Sequence, residues 1–174
     1  MKEEQYKKNR KKKTWNKEDN LNLKIEKFTV GKDRFYDLFI AKYDIKATIA
    51  HAKMLHSIKV LTHSELDKII SELNLINNDI KIGKFIIEDN YEDVHSKIES
   101  ILVKKLGIIG KKIHTGRSRN DQVVTDFKLW LIKSTKEIIK NLEKLNKVII
   151  LNAEKHVETI MTAFTHFKNA KPVS

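Results

Sequence analysis

Residues 122–161 contain neither glycine nor proline. Along them Val124, Phe127, Leu131, Ile138, Leu142, Leu145 and Ile149 recur at close to 3.5-residue spacing, the mark of one apolar stripe on a helix. The spacing predicts a single helix of about 40 residues, hence about 60 Å long. Helices of that length normally belong to bundles or coiled coils, where neighbours cover the stripe. The chain is therefore expected to be all-α, and the stripe needs partner helices from the same chain or from other subunits. No further helical pattern follows the run before Ser174, so the 174 residues read as the front part of a larger helical protein, its bundle truncated.

The rest of the chain is helical by the same reasoning. Over 37–58, Leu38, Ala41, Ile45, Ile49, Ala52 and Leu55 recur every three or four positions. Thr62 and Glu65 stand at capping-box spacing, with Leu66, Ile69, Ile70 and Leu73 following. Residues 79–89, with Gly83 among them, read as a loop or short extended piece. A third helix is expected to begin near 90–93 and to carry Val94, Ile98, Ile101 and Leu102 as far as Gly107. Gly107, Gly110 and Gly116 then mark a loop with special backbone demands. The expected organisation is a basic disordered tail over 1–14, an N-terminal helical domain over 15–110, and a loop with the start of a central bundle over 111–174.

Charge narrows the function classes. The net charge of +12 invites a nucleic-acid reading. Yet of 35 basic residues only Arg10, Arg34, Arg117 and Arg119 are arginine, and arginine is the residue that reads guanine and forks phosphates. Part of the excess is the tail, where 1–13 carry seven basic residues against Glu3 and Glu4. Lysine, isoleucine and asparagine are all abundant, a compositional bias that needs no polyanionic partner. The absence of cysteine excludes disulfides, thiolate metal sites and a cysteine nucleophile. The apolar runs fall far short of the 18 or so residues of a membrane span, and no apolar stretch follows the basic start. The expected setting is cytoplasmic, without nucleic acid or membrane.

Chemistry concentrates in 107–126, where Lys111, Lys112, His114, Thr115, Arg117, Ser118, Arg119, Asn120, Asp121 and Gln122 fall together. In a chain that otherwise uses lysine, two nearby arginines suggest planar, bidentate bonding to a carboxylate. Ser118, Arg119 and Asn120 also approach the start of the long helix, whose unpaired amides favour anions. The same residues fit equally well a simple capping loop with Asn120 or Asp121 as N-cap. Of the histidines His51, His56, His63, His95, His114, His156 and His166, each is by default a surface or hydrogen-bonded residue. His95 stands out for following Glu92 and Asp93, and His166 for following Thr165 beyond the long helix, a fair position for a general acid or base. His51 and His56 are five apart, not four, and form no helical metal pair.

The stretch Lys111-Lys112-Ile113-His114-Thr115-Gly116-Arg117-Ser118-Arg119-Asn120-Asp121-Gln122-Val123 resembles the signature of the argininosuccinate lyases, within the fumarase and aspartase superfamily. Supporting pieces follow the family's order: Tyr36-Asp37, Asp44-Ile45, Ala50-His51-Ala52, Glu92-Asp93-Val94-His95 and Thr165-His166, with Ala170, Pro172 and Val173 at the end. The resemblance implies reversible elimination of argininosuccinate to arginine and fumarate in arginine biosynthesis, with no metal or organic cofactor, in a homotetramer. It further implies that Ser118, Arg119, Asn120 and Thr165 bind substrate carboxylates, that His166 is the catalytic histidine, and that Asp93 and His95 line the site. The chain also departs from the family. Met161-Thr162-Ala163-Phe164-Thr165-His166-Phe167-Lys168 stands where the family reads Met-Pro-Gly-Tyr-Thr-His-Leu-Gln. Ala47-Thr48 replaces a usual Gly-Ser, and Asp33 stands near a position that is often serine. Family chains run well beyond this length and supply a later serine-rich loop. The 174 residues alone are accordingly expected to be inactive; the rival expectation is a non-catalytic helical remnant or a complementing subunit of a split lyase. The uncovered stripe is expected to drive self-association.

Overall fold

A computed structural model describes residues 28–173; the expected tail over 1–14 lies outside the described residues. The all-α expectation holds in the main. Helix α1 spans Asp33–Ser57, α2 His63–Lys81, α3 Val94–Leu106, α4 Ile108–Lys112 and α5 Arg119–Lys155. Two short strands, β1 (Met161–Thr165) and β2 (Lys168–Val173), close the chain. The chain divides into two compact units, one through Trp130 and one from Leu131.

In the first unit α1 packs on α2 and α3, and α3 on α4. Ala41, Ile45, Ala52 and Leu55 of α1 meet Leu66, Ile69, Leu73 and Ile76 of α2 and Val94, Ile98 and Leu102 of α3 in one buried cluster, joined by Leu61 and Ile113. Local signals set the helix starts. Thr62 Oγ1 accepts the Glu65 amide at 3.3 Å while the Glu65 carboxylate accepts the Thr62 amide at 2.8 Å, the expected capping box. Asp93 caps α3 in the same reciprocal way with Ser96, its Oδ1 accepting the Ser96 amide at 2.7 Å. Asp37 of α1 ties this start in place, Oδ2 accepting the Val94 amide at 3.0 Å.

The glycine-marked region is less of a loop than its composition predicts. Gly107, with φ 60°, ends α3 and lets the chain turn directly into α4. Gly110 then lies against the α3 backbone so closely that a Cβ there would stand 2.5 Å from the carbonyl carbon and oxygen of Leu102. Lys112 reaches back to Glu65 at 2.6 Å, and this bond holds the Glu65 carboxyl down at about 2.

The second unit corrects one expectation. The long helix ends at Lys155 rather than near 161, and 161–173 form an antiparallel hairpin with Met161 opposite Val173 and Thr165 opposite Lys168. Val157, Thr159 and Ile160 are β-branched and favour leaving the helix, and the strand pairing supplies the backbone partners that a continued helix would have given. The hairpin turns on His166 and Phe167, with φ 47° and 61°. A two-residue turn requires this left-handed backbone, at a cost of about 1 kcal/mol or more per non-glycine residue.

Candidate functional site

The site is assembled at the start of α5. Ser118 precedes the helix, its Oγ accepting the Asn120 amide at 3.1 Å while Asp121 Oδ2 accepts the Ser118 amide at 3.4 Å. The cap is thus Ser118, not Asn120 or Asp121: a serine one step earlier satisfies the first amides, and Asp121 answers it from the first turn. Ser118 and Asn120 remain exposed.

Arg119 turns toward α3. Its Nε lies 3.5 Å from Asp93 Oδ2, one terminal nitrogen lies 3.5 Å from Glu99 Oε2, and the other donates to Gln122 Oε1 at 3.2 Å. Two carboxylates thus hold this guanidinium beside the exposed Ser118-Asn120 edge. Arg117 goes the other way and donates to Thr48 Oγ1 of α1 at 3.1 Å. His51, one turn further along α1, pairs its Nε2 with the Thr115 carbonyl at 3.1 Å; its burial, with Arg117 close by, lowers its pKa. The signature segment is pinned at several points.

Beneath it lies a cluster of buried polar side chains. Asp44 and Thr48 of α1, His95 of α3, and Gln122 and Asp126 of α5 are all at most 5% exposed. His95 Nδ1 stands 3.1 Å from Asp44 Oδ1 and 3.6 Å from Asp126 Oδ2. Asp44 Oδ1 also accepts from Thr48 Oγ1 and from the Gln122 side-chain amide, each at 3.4 Å. His95 Nε2 and both oxygens of Asp126 are buried with no hydrogen-bond partner among the described residues.

Electrostatics divides the two carboxyls. Burial opposes ionisation of Asp44, but His95, and behind it Arg117, outweigh this and hold Asp44 below the usual carboxylate value. Burial and the neighbouring charge of Asp44 push Asp126 up to about 8, so it keeps its proton at neutral pH. Burial works against the His95 imidazolium as well, yet Asp44 first, with Asp93 and Asp126 behind it, keeps its pKa above the ordinary value. Two carboxyls buried in one cluster do not readily ionise together, which is why their values are driven apart.

Asp44, His95 and Asp126 each offer a ligand atom within 4.8 Å of the others, a donor set that matches a divalent metal in composition. The electrostatics favour another use. Arg117, bonded to Thr48, already sets a guanidinium near the cluster, and a metal there would have to face that charge.

The first unit thus brings Asp93, His95, Ser118, Arg119 and Asn120 together. Thr165 and His166 belong to the second unit, both exposed on the hairpin. Sequence reasoning missed Asp44, Thr48 and Asp126 as members of the cluster. A signal was present: Asp44 and Thr48 interrupt the apolar stripe of α1 four residues apart, and Gln122 and Asp126 repeat that spacing on α5. On α5 the polar pair is buried while Val124 and Phe127 are half exposed, the reverse of an ordinary amphipathic helix.

The sequence model of a family described as Lyase matches residues 21–174. The chain is 46% identical over 162 residues to an argininosuccinate lyase of Bacteroides thetaiotaomicron, covering 93% of this chain and 36% of that relative. It is 43% identical over 150 residues to an argininosuccinate lyase of Azotobacter vinelandii, covering 86% of this chain and 32% of the relative. One from Pseudomonas syringae pv. tomato is 45% identical over 139 residues, covering 80% and 30%. The chain spans about a third of the length of the curated relatives it matches. With the signature segment capped, anchored and backed by a buried ion cluster inside the matched range, the chain belongs to the lyase family.

Proposed function

We propose that this chain carries the first part of an argininosuccinate lyase site, for reversible elimination of argininosuccinate to arginine and fumarate in arginine biosynthesis. The observation that carries the proposal is the exposed Ser118-Asn120 edge at the N-terminus of α5, with Arg119 held beside it by Asp93 and Glu99. Such an edge offers the Ser118 hydroxyl and the Asn120 side-chain amide to a substrate carboxylate, with the Arg119 charge close behind them. Identities of 43–46% to argininosuccinate lyases support the substrate assignment.

In this reading a base removes the proton from the carbon beside a succinyl carboxylate. The electron pair flows first into that carboxylate and then forms the carbon–carbon double bond of fumarate as the bond to the guanidino nitrogen breaks. The departing nitrogen takes up a proton. Ser118, Arg119, Asn120 and Thr165 bind carboxylates and stabilise the charge that develops there. His166 is the catalytic histidine of the proton-transfer pair, and Asp93 and His95 line the site from below. The 15–110 segment acts as an N-terminal helical domain and 111–174 opens a central bundle. A homotetramer in the cytoplasm, in which neighbouring helices cover the α5 stripe, completes the proposal. No helix among the described residues is long and apolar enough to cross a membrane.

The half-exposed stripe favours one rival, a helical remnant or complementing subunit without turnover of its own. The deciding experiment measures fumarate release from argininosuccinate by the chain alone and after mixing with a polypeptide covering the remaining length of the Bacteroides relative. No turnover alone and turnover on mixing, abolished by His166→Asn, is the expected result. A stable mixed assembly without turnover would establish the rival, and turnover that survives His166→Asn would remove His166 from the mechanism.

A further inference from the structure

The proposed carboxylate-binding edge is placed by groups beneath it. Asp44 Oδ1 is the point where three elements converge: Gln122 from the first turns of α5 and Thr48 from α1 donate to it at 3.4 Å, and His95 from α3 stands 3.1 Å away. Thr48 passes the connection to the loop, because its Oγ1 accepts from Arg117 at 3.1 Å. Arg117 and Gln122 flank Ser118, Arg119 and Asn120 on both sides. A single buried oxygen therefore fixes both ends of the segment.

We propose that Asp44, with Thr48 and Asp126, forms a positioning hub for the Ser118-Asn120 segment, holding it through Arg117 and Gln122, with His95 packed between the two aspartates. The ligand class, a carboxylate, rests on the lyase reading; the hub itself does not.

The composition of the cluster explains why an aspartate is needed at position 44. Desolvating Arg117 and an imidazolium together is tolerable only if an anion lies between them, and Asp44 is that anion. Asp126 contributes a neutral carboxyl, completing the enclosure without adding a second charge. The groups facing the hub are Asp37, Asp44 and His51 from α1, Asp93, His95 and Glu99 from α3, His114 and Arg117 from the loop, and Arg119 and Asp126 from α5. The hub makes the two carboxylates unequal, and that inequality is testable: asparagine imitates a neutral carboxyl but not an anion.

The test uses the full 174-residue chain with nitrogen-15 in its histidine rings and backbone. In the wild type at neutral pH the His95 ring nitrogens should show the imidazolium signature. Asp126→Asn should leave that signature in place and change amide exchange at 117–122 by less than about twofold. Asp44→Asn should convert the ring to neutral imidazole and accelerate exchange at 117–122 by about tenfold. Thr48→Val, which keeps the side-chain shape and removes the Arg117 acceptor, should accelerate exchange there about threefold while His95 stays charged. It carries the test if Asp44→Asn does not fold. Unchanged exchange at 117–122 in Thr48→Val would overturn the hub. Titration with fumarate, read on the Ser118, Arg119 and Asn120 amides, separates the two claims. Wild-type shifts that weaken in Thr48→Val support both, whereas accelerated exchange without any wild-type response to fumarate upholds the hub and removes its carboxylate ligand.

Discussion

The first and second units use hydrophobic patterning to opposite ends. Through Trp130, the apolar stripes of α1, α2 and α3 are spent on a common core, and Leu55, Ile69, Leu73 and Leu102 are at most 1% exposed. From Leu131, the α5 stripe is as regular, yet Ile138, Leu142, Leu145 and Ile149 are 52–59% exposed. Periodicity states that a face will be buried; it does not state by what. The first unit answers with its own helices, and the second carries a face that requires other helices to cover it.

Substitution separates the two most strongly. Leu73→Ala should lower stability by about 2–5 kcal/mol, because the deleted atoms leave a cavity in a closed core. Leu142→Ala should shift stability of the dilute chain by no more than about 0.5 kcal/mol, while reducing its self-association. Denaturant melts check the first and sedimentation the second. Equal losses in both variants would erase the contrast. Gly110→Ala comes next. The added Cβ would meet the Leu102 backbone at 2.5 Å, so α4 must lift off α3, at a cost of about 1–3 kcal/mol.

A smaller effect belongs to the buried cluster. Asp126 has a folded-state value of about 8, above its ordinary carboxylate value, so the folded chain keeps a proton that the unfolded chain has lost. Its contribution to stability is complete below the ordinary carboxylate value and is lost as pH rises through about 8. His95, with its value raised, acts in the same direction: its contribution is complete below the ordinary imidazole value and is lost as pH rises through the folded one. Asp44, with its value lowered, contributes above the ordinary carboxylate value and loses that contribution as pH falls through its folded value. The melting temperature should therefore fall by several degrees between about pH 4 and 8, and Asp126→Asn should flatten most of that fall. A wild-type melting temperature that is constant across this range would contradict the raised Asp126 value. A local effect lies in the second unit. Phe167→Gly relieves a left-handed residue in the hairpin turn and should stabilise the hairpin locally by about 1 kcal/mol, seen in slowed exchange of the β1 and β2 amides.

Legibility in sequence followed how local each signal was. The capping box at Thr62 and Glu65 and the stripes of α1, α2 and α3 depend on neighbours three or four residues away, and they form as their spacing predicts except at Leu38, which is exposed. The end of α5 was harder. Between Lys155 and Met161 there is no glycine or proline, only the mild β-branched bias of Val157, Thr159 and Ile160, and the pairing of 161–165 with 168–173 decides against a helix. In the site, the composition of the Arg117-Ser118-Arg119-Asn120 segment left a binding edge and a capping loop equally open, and the structure shows Ser118 capping α5. Asp44 and Asp126 lie 82 positions apart and acquire meaning only when α1, α3 and α5 meet. Their one local trace, polar residues at helical spacing on a buried face, is visible only once it is known which face is buried.

The central claim, that one unit owns its core while the other awaits cover, is tested most directly by amide exchange along the full chain at two concentrations. The account predicts strong, concentration-independent protection at 41–55, 66–76 and 94–102, and weak protection at 131–155 that rises as the chain is concentrated. Equal protection of 131–155 and the core helices in the dilute chain, unchanged by concentration, would contradict it.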